Sequence, residues 1–382
     1  MGVEEELLLV DPTDGSPRAV AGLILSGSGT DRDPAADSDS DGHRDTDADP
    51  GHDPGDQGMV EPELQQQQIE IGTPPTTSLS DLRAELVRWR HRANDLAGQQ
   101  GAHIAAIGTC PLPVVPKTTV KPRYQAMIDH LGLTTAEQLT CGCHVHVDVE
   151  SADEGVGVLD RIRIWLPVLV ALSVNSPFWQ GTDSGYASFR TQAWHRFPTA
   201  GPTPLLGSGG EYHAYVDALL ATKVPMDGGM IYLDARLSRN YPTVEVRVAD
   251  VCVRVDDTVM IAALVRGLVE TAAREWREGR PAPEVSSDLI RLATWRASRF
   301  GLDGDLLDPT TFRPTPTWAV IGGLLDHVRQ ALVDAGDDVV VDRQVDVLRT
   351  RGTGATVQRR TAGEDQDLVG LVRAMVQLTL ES

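Results

Sequence analysis

Residues 241–251 read YPTVEVRVADV, and in the middle of this stretch valines alternate with ionisable residues. A period of two is typical of a β-strand whose two faces meet different surroundings. The alternation therefore predicts a strand from about Thr243 to Val253, with Glu245 and Arg247 on one face and the valines on the other.

The same alternation occurs in three other parts of the chain. It predicts strands at Val3–Val10, Gln66–Ile71 and Cys143–Val149. The ionisable residues on the polar faces of these strands are Glu4, Glu6, Glu70, His144, His146 and Asp148. Each strand alone is better explained as an ordinary half-buried strand whose polar face meets water. Together with the 241–251 stretch, however, they would form one surface with five carboxylates and two histidines.

Segments with helical periodicity separate these strands. They are expected at Asp81–Leu96, Leu159–Ser176 and Asp257–Glu278, and over most of the last third of the chain. Ser78 or Ser80 is positioned to cap the first of these helices. Strands that recur between helices over long intervals indicate an α+β fold, with an antiparallel sheet backed by helices. Because no repeat or clear linker divides the sequence, we expect residues 1–382 to form a single domain.

Composition and charge restrict the classes of partner. The chain has 382 residues and a formal net charge of −21, which opposes binding to nucleic acids and to anionic membranes. No stretch approaches the length of an apolar membrane span, and the N-terminal MGVEEELLLV is acidic where a signal peptide is basic. Four cysteines are too few for a disulfide framework. These features predict a cytoplasmic protein without a nucleic-acid or membrane partner, and they are compatible with a homo-oligomer.

One segment, at about 26–58, is crowded with Asp, Gly, Pro and Ser and is nearly devoid of large apolar residues. Because such a composition cannot bury enough apolar surface to offset the entropy of ordering, a disordered acidic loop is expected. Asp37, Asp39 and Asp41 match the start of an EF-hand calcium loop. The twelfth position is Ala48 instead of Glu, so a solvated loop is favoured over a calcium site.

The predicted carboxylate-rich surface needs cations, because carboxylates that lie this close together repel one another. Hard ions such as Mg²⁺ or Mn²⁺ prefer oxygen ligands with an occasional imidazole, and magnesium in such sites usually also binds substrate phosphates. Arg247, which shares a strand face with Glu245, would suit a phosphate oxygen. The pattern therefore favours phosphoryl transfer.

A metal-dependent hydrolase is the alternative interpretation, in which His144 and His146 bind zinc with the carboxylates and activate water. The excess of carboxylates and the glutamate–arginine pair of residues 241–251 argue against it. His146 could equally bind a metal directly or only orient His144. Cys141 and Cys143 are expected to be buried small residues and not zinc ligands, because no second pair of ligands has the usual spacing.

At these residues a family resemblance becomes visible. The stretches that carry it are GVEEELLLVDP (2–12), ELQQQQIEIGTP (63–74), CGCHVHVDV (141–149), NSPFWQGTDSGYASFRTQAW (175–194), PTAGP (198–202) and YPTVEVRVADV (241–251). They resemble the bacterial type 2 glutamate–cysteine ligases, which are also called carboxylate–amine ligases. The motifs occur in the expected order and, with the helices between them, cover nearly the whole chain.

The resemblance implies a fold like the catalytic domain of glutamine synthetase, with a curved antiparallel sheet around the active site. It implies that two or three Mg²⁺ ions, or Mn²⁺ in their place, are bound by Glu4, Glu6, Glu63, Glu70, His144 and Glu245. Arg247 would contact the phosphates of ATP, and Arg190 and Tyr186 would meet the carboxylate of the amino-acid substrate. Glu63 would be out of phase with Glu70 in a regular strand, so a bend or bulge is expected between them.

The activity implied is the ATP-dependent joining of the γ-carboxylate of glutamate to an amine, with cysteine as the expected acceptor. ATP would convert the carboxylate to an acyl phosphate, and the amine would then displace phosphate. Glu245 and Arg247 would be the catalytic residues, because the metal ions and the guanidinium neutralise charge on the transferred phosphoryl oxygens.

Overall fold

A computed structural model of the protein describes residues 1–26 and 59–381. The predicted acidic loop at 26–58, with its calcium-like aspartates, lies outside the described residues except for Ser26. Within the described ranges, no helix is long and apolar enough to cross a membrane.

A seven-stranded sheet lies at the centre of the described structure, and every pairing within it is antiparallel. The strands are β1 (Gly2–Val10), β2 (Met59–Pro62), β3 (Gln68–Gly72), β4 (His103–Ala105), β5 (Gly142–Asp148), β6 (Phe178–Trp179), β7 (Thr182–Asp183), β8 (Ala235–Leu237), β9 (Thr243–Asp250), β10 (Asp305–Leu307) and β11 (Pro314–Pro316). The order across the sheet is β2-β3-β1-β5-β9-β8, and β4 also pairs with β1. The other four strands form two small hairpins, β6–β7 and β10–β11.

Helices make up most of the remaining described chain. They are α1 (Ala21–Ser26), α2 (Leu79–Gly98), α3 (Pro122–Leu131), α4 (Leu133–Ala136), α5 (Ala152–Ile162), α6 (Leu166–Ser173), α7 (Phe189–Trp194), α8 (Gly209–Ala221), α9 (Val255–Arg277), α10 (Ser287–Phe300), α11 (Thr317–Ala335), α12 (Asp338–Arg351), α13 (Gly354–Ala362) and α14 (Leu368–Leu380). An antiparallel sheet backed by helices confirms the predicted α+β class.

The predicted elements are confirmed with small shifts of their ends. The Ser78 hydroxyl caps α2 by accepting a hydrogen bond from the Asp81 amide at 3.3 Å, as one of the two predicted caps. The predicted stretch at Leu159–Ser176 is two helices, α5 and α6, because Pro167 lies in the first turn of α6 and cannot continue a preceding helix.

The apolar faces of the central strands determine where the core lies. Val145 of β5 and Val244 of β9 are buried in one cluster with residues of α5, α6 and α9. Leu7 and Leu9 of β1 belong to a second cluster, which includes Ile104 of β4 and residues of α14. Because successive side chains on a strand point to opposite faces, this burial leaves the polar positions of β1, β5 and β9 on the other face.

One ionised residue of β1 nevertheless enters the core. Glu5 and Arg90 of α2 form an ion pair in which both side chains are almost completely buried, with 2.6 Å between Glu5 Oε1 and Arg90 Nη2. Thr258 donates a further hydrogen bond to the same carboxylate, at 2.7 Å. The guanidinium also donates to the main-chain carbonyls of Cys252 and Val253, at 2.7 and 2.9 Å. The pair therefore ties β1 to α2 and to the start of α9.

We expect Arg90→Met to destabilise the protein by about 3–5 kcal/mol, because it leaves the Glu5 carboxylate buried without its counter-ion. Urea unfolding measures this free energy, and Arg92→Met, at an exposed position of the same helix, is the matched control. A second variant, Glu5→Leu with Arg90→Met, should recover part of the loss because no unpaired charge remains. Equal free energies of unfolding for Arg90→Met and Arg92→Met would contradict this role for the ion pair.

Candidate active site

A cavity of about 390 Å³ opens on the polar face of the central sheet. The ionisable residues that line it from β1, β3, β5 and β9 are Glu4, Glu6, Glu70, His144, His146, Glu245 and Arg247. The strand register explains the proximity, since Glu4 lies opposite His144, Glu6 opposite Glu70, and His146 opposite Glu245. The predicted carboxylate-rich surface is therefore present as one wall of a single cavity, except that Asp148, which is exposed at the end of β5, does not line it.

Glu63 reaches this cavity through a hairpin instead of a bulge. Strands β2 and β3 pair with Glu61 opposite Glu70 and Pro62 opposite Ile69, so Glu63 begins the connection between them. Glu63 and Glu70 thus lie on the two sides of one hairpin. Because they do not belong to the same strand, their odd spacing of seven residues does not direct them to opposite faces. The expectation of a bend or bulge is corrected to a turn of the chain.

The ligand atoms of the acidic and imidazole side chains fall into three overlapping groups. The groups are Glu4 with Glu70 and His144, Glu4 with His146 and Glu245, and Glu6 with Glu63 and Glu70. Within each group the atoms lie within 4.8 Å of one another, close enough to bind a common ion. All six residues expected to bind metal belong to at least one group, and His146 joins them.

The two imidazoles are oriented by neighbouring oxygens. His144 Nδ1 lies 3.2 Å from Glu4 Oε2, and His146 Nδ1 lies 3.1 Å from Thr243 Oγ1. The Nε2 atom of His144 is buried and has no hydrogen-bond partner among the described residues. Burial, helped by the positive charge of Arg247, lowers the pKa of His144. A buried neutral imidazole that lies in a group with Glu4 and Glu70 and has one unpaired ring nitrogen fits a metal ligand.

The carboxylates at the β2–β3 end of the cavity repel one another. Burial and the charge of Glu6 raise the pKa of Glu63 to about 7. Burial and the charge of Glu4 raise the pKa of Glu70 well above its usual value. Burial would also raise the pKa of Glu4, but hydrogen bonds with His144 and His146 outweigh it and lower that pKa. Cations between Glu63 and Glu70 would relieve the repulsion, so the donor set fits hard divalent ions.

Two arginines surround Glu245 at the opposite end of the sheet. Arg236 of β8 pairs with it across the strands, with Nε 2.7 Å from Oε2 and Nη2 3.2 Å from Oε1. Arg247 Nη1 donates to Oε1 of the same carboxylate. These charges lower the pKa of Glu245 despite its burial. Arg236 is not among the site residues predicted from the sequence, although its spacing of two from Asp234 and Ser238 is that of a short strand.

The rest of the cavity wall combines aromatic rings with further arginines. Trp194, Phe197 and Tyr232 pack against one another, with ring centres 4.8 to 5.4 Å apart. Arg123 lines the cavity while its guanidinium pairs with Asp227, in the segment between α8 and β8, at 2.7 and 2.9 Å. Arg239, in the turn between β8 and β9, is exposed at the cavity mouth. None of these residues belongs to an alternating strand, so periodicity alone could not identify them.

A family model described as glutamate-cysteine ligase family 2 matches residues 1–361. The chain belongs to this family. It is 49% identical over 379 residues to a Streptomyces avermitilis protein named "putative glutamate–cysteine ligase 2-1", and the match covers 99% of both chains. A Streptomyces coelicolor protein named "putative glutamate–cysteine ligase 2" is 47% identical, with 99% of this chain and 98% of that protein covered.

Solved structures show the same fold at low sequence identity. A crystal structure of a glutamate–cysteine ligase from Francisella tularensis in complex with AMP is similar to this chain, with a TM-score of 0.66 and 14% identity. The similarity covers 100% of this chain and 89% of that one. A bifunctional glutathione synthetase from Pasteurella multocida has a TM-score of 0.63 over 99% of this chain and 52% of its own. The predicted ligase-type fold is therefore confirmed.

Two residues that the family resemblance assigned to the substrate do not line the cavity. The Arg190 side chain is buried and donates to the carbonyls of Arg247 and Val248, at 3.3 and 3.4 Å. Tyr186 is only partly buried and packs against Trp295, with the Arg299 guanidinium 5.3 Å from its ring centre. The structure thus brings together Arg247 and the residues predicted to bind metal, but not these two side chains.

Because Glu70 belongs to two of the three ligand groups, we expect Glu70→Gln to weaken Mn²⁺ binding by at least about tenfold. Electron paramagnetic resonance of free Mn²⁺ measures the affinity without reference to any activity. Glu61→Gln is the matched control, since Glu61 is exposed and lies opposite Glu70 in the hairpin. Unchanged Mn²⁺ affinity in Glu70→Gln, or an equal loss in Glu61→Gln, would exclude the predicted metal site.

Proposed function

We propose that the protein is an ATP-dependent carboxylate–amine ligase that joins the γ-carboxylate of glutamate to an amine, with cysteine as the first acceptor to test. The observation that carries the proposal is the juxtaposition, in one cavity, of three overlapping groups of metal ligands with Arg247. Membership of the glutamate–cysteine ligase family and the likeness to an AMP-bound ligase support it.

Magnesium is the metal that this donor set suits best. Oxygen ligands dominate each group, and magnesium in such sites commonly binds substrate phosphates as well as protein carboxylates. The residues that would bind it are Glu4, Glu6, Glu63, Glu70, His144 and Glu245, with His146 as a further candidate. Bound magnesium would supply positive charge beside the phosphoryl oxygens. Arg247, at the same wall, would add a guanidinium that binds those oxygens directly.

The proposed reaction has two balanced steps. An oxygen of the γ-carboxylate attacks the γ-phosphorus of ATP, the bond to the bridging oxygen breaks, and ADP leaves. The amine nitrogen of the acceptor then attacks the carbonyl carbon of the acyl phosphate. A C–N bond forms, the C–O bond to phosphate breaks, and the nitrogen loses a proton. Phosphate is a better leaving group than oxide, which is why the carboxylate must first be phosphorylated.

The amino-acid substrates would lie toward the aromatic and arginine-bearing part of the wall. Arg239 is exposed at the cavity mouth, where a guanidinium can form a bidentate pair with a substrate carboxylate. Trp194, Phe197 and Tyr232 offer an apolar surface beside it. This location is preferred over Arg190 and Tyr186, because neither of those side chains reaches the cavity.

The test is the release of ADP from ATP with Mg²⁺ and glutamate, with and without a panel of amines headed by cysteine. Release that requires both glutamate and cysteine would support the ligase and its acceptor together. Release that requires glutamate but does not respond to cysteine would support the chemistry and exclude cysteine as acceptor. If no pairing consumes ATP, the proposal fails, and zinc-dependent hydrolysis at His144 and His146 becomes the function to test.

We expect Glu245→Gln and Arg247→Ala each to lower ATP-dependent turnover by at least about a hundredfold. Glu245→Gln removes a carboxylate that would bind magnesium, and Arg247→Ala removes the guanidinium that would bind the phosphoryl oxygens. Circular dichroism should show that both variants remain folded. Glu150→Gln is the matched control, since the Glu150 side chain is 79% exposed just beyond β5. Near-normal turnover in either site variant would contradict the assignment of Glu245 and Arg247.

A further inference from the structure

Strands β5 and β9 do not pair in a constant register. Cys143 lies opposite Ala249, whereas Val145 lies opposite Val246. A single residue of β5, His144, therefore faces two residues of β9, Arg247 and Val248. Two residues opposite one is the arrangement of a β-bulge, which bends a strand and redirects its side chains. The bulge thus lies at the position from which Arg247 enters the active-site cavity.

The bulge changes which residues of β9 share a face. Arg247 and Asp250 are three positions apart, so a regular strand would direct them to opposite faces. With the extra residue, Asp250 lies opposite Gly142 and faces the same side of the sheet as Arg247. The bulge also takes main-chain carbonyls out of the regular ladder, and such groups need other partners when they are buried.

Arg190 of α7 supplies those partners. Its Nη2 donates to the Arg247 carbonyl at 3.3 Å, and its Nη1 donates to the Val248 carbonyl at 3.4 Å. Nη1 also lies 3.9 Å from Asp250 Oδ1. One guanidinium therefore contacts both residues that form the bulge and the carboxylate that the bulge brings to this face. The Arg190 side chain is only 3% exposed and does not line the active-site cavity.

Two further features hold the guanidinium in this place. A Cβ atom at residue 142 would overlap Arg190 Nη2, so only glycine leaves the space that the guanidinium occupies. The guanidinium carbons of Arg190 and Arg247 each lie 5.7 Å from the ring centre of Trp194. Trp194 and Arg247 line both the active-site cavity and a small cavity of about 10 Å³ beside Arg190. They therefore lie between Arg190 and the active-site cavity.

We propose that Arg190 is a positioning residue that maintains the β9 bulge and so directs Arg247 into the active-site cavity. Arg190 acts through the main chain of Arg247 and through the shared contact with Trp194. It makes no contact with substrate. The kinetic part of this inference rests on the proposed ligase function, while the structural part, the coupling of Arg190 to Gly142, does not.

The structural part is tested by thermal unfolding of Gly142→Ala, Arg190→Met and the double variant. Gly142→Ala should lower Tm because the new methyl group overlaps the guanidinium. In the double variant the guanidinium that the methyl group would overlap is absent. The Tm loss of the double variant should therefore be smaller than the sum of the losses in the two single variants. Gly72→Ala is the matched control, since a Cβ at this strand glycine would meet nothing within 4 Å. Additive Tm losses would overturn the proposed coupling.

The functional part is tested by calorimetric titration with ATP and Mg²⁺ and by steady-state kinetics. Arg190→Met should weaken nucleotide binding and lower kcat by about tenfold or more, because Arg247 is no longer held toward the phosphates. The KM for glutamate and the KM for the acceptor should stay near the wild-type values. A selective rise in the KM of either amino acid, with nucleotide binding intact, would instead show that Arg190 contacts a substrate carboxylate.

If Arg190→Met does not fold, Arg190→Lys replaces it in the nucleotide-binding measurement. Lysine keeps the positive charge beside Asp250 but cannot donate to two carbonyls in the fixed geometry of a guanidinium. It should therefore fold and still bind nucleotide more weakly than the wild type, whereas full nucleotide affinity in Arg190→Lys would overturn the proposal. If the wild-type protein itself does not bind ATP, the proposed function fails, and the Tm comparison still decides whether Arg190 and Gly142 are coupled.

Discussion

Strand β1 carries three consecutive glutamates, and the two-residue period of a strand forces them onto opposite faces. Glu4 and Glu6 can reach the cavity only if Glu5 enters the apolar core, where an isolated carboxylate would be prohibitively unstable. Arg90 solves this problem, since its guanidinium pairs with Glu5 and also donates to main-chain carbonyls of the segment between β9 and α9. The same contact that neutralises Glu5 therefore attaches β1, α2 and α9 to one another.

The position of β1 in the sheet extends this constraint to the site. Because β1 lies between β3 and β5, its polar face meets Glu70 on one side and His144 on the other. Two of the three ligand groups need Glu4, and the third needs Glu6, so every group depends on the register of β1. A slip by one residue would put Glu5 in the cavity and both ligands in the core. The buried ion pair makes that slip costly.

Much of this arrangement could be predicted from the sequence. In a strand with one buried face, apolar and polar residues alternate, and the alternation indicates which side chains share the polar face. The irregularity expected between Glu63 and Glu70 is a hairpin turn and not a bend or bulge within one strand. The turn could not be predicted because residues 63–67 lack a Gly or Pro turn signal. Their turn is held by side chains, with Gln65 and Gln67 donating to the carbonyls of Thr135 and Val115. The contacts of Arg90 and Arg190 join elements that are far apart in the chain, and Arg236 lies on a strand of only three residues. No local sequence pattern predicts contacts of either kind.

Charge is distributed unevenly across the sheet, and the unevenness agrees with the proposed chemistry. At the β3 end, Glu63 and Glu70 face further carboxylates, and burial together with these negative charges raises the pKa of both side chains. At the β8 end, Arg236 and Arg247 surround a single carboxylate, Glu245. Divalent ions at the first end would offset the repulsion among the carboxylates, and the guanidiniums at the second end would attract anionic oxygens. A metal-bound triphosphate carries both kinds of charge, so it would complement the two ends of this surface at once. A neutral substrate activated by one zinc ion would leave carboxylate charge at the β3 end and guanidinium charge at the β8 end without a counter-charge.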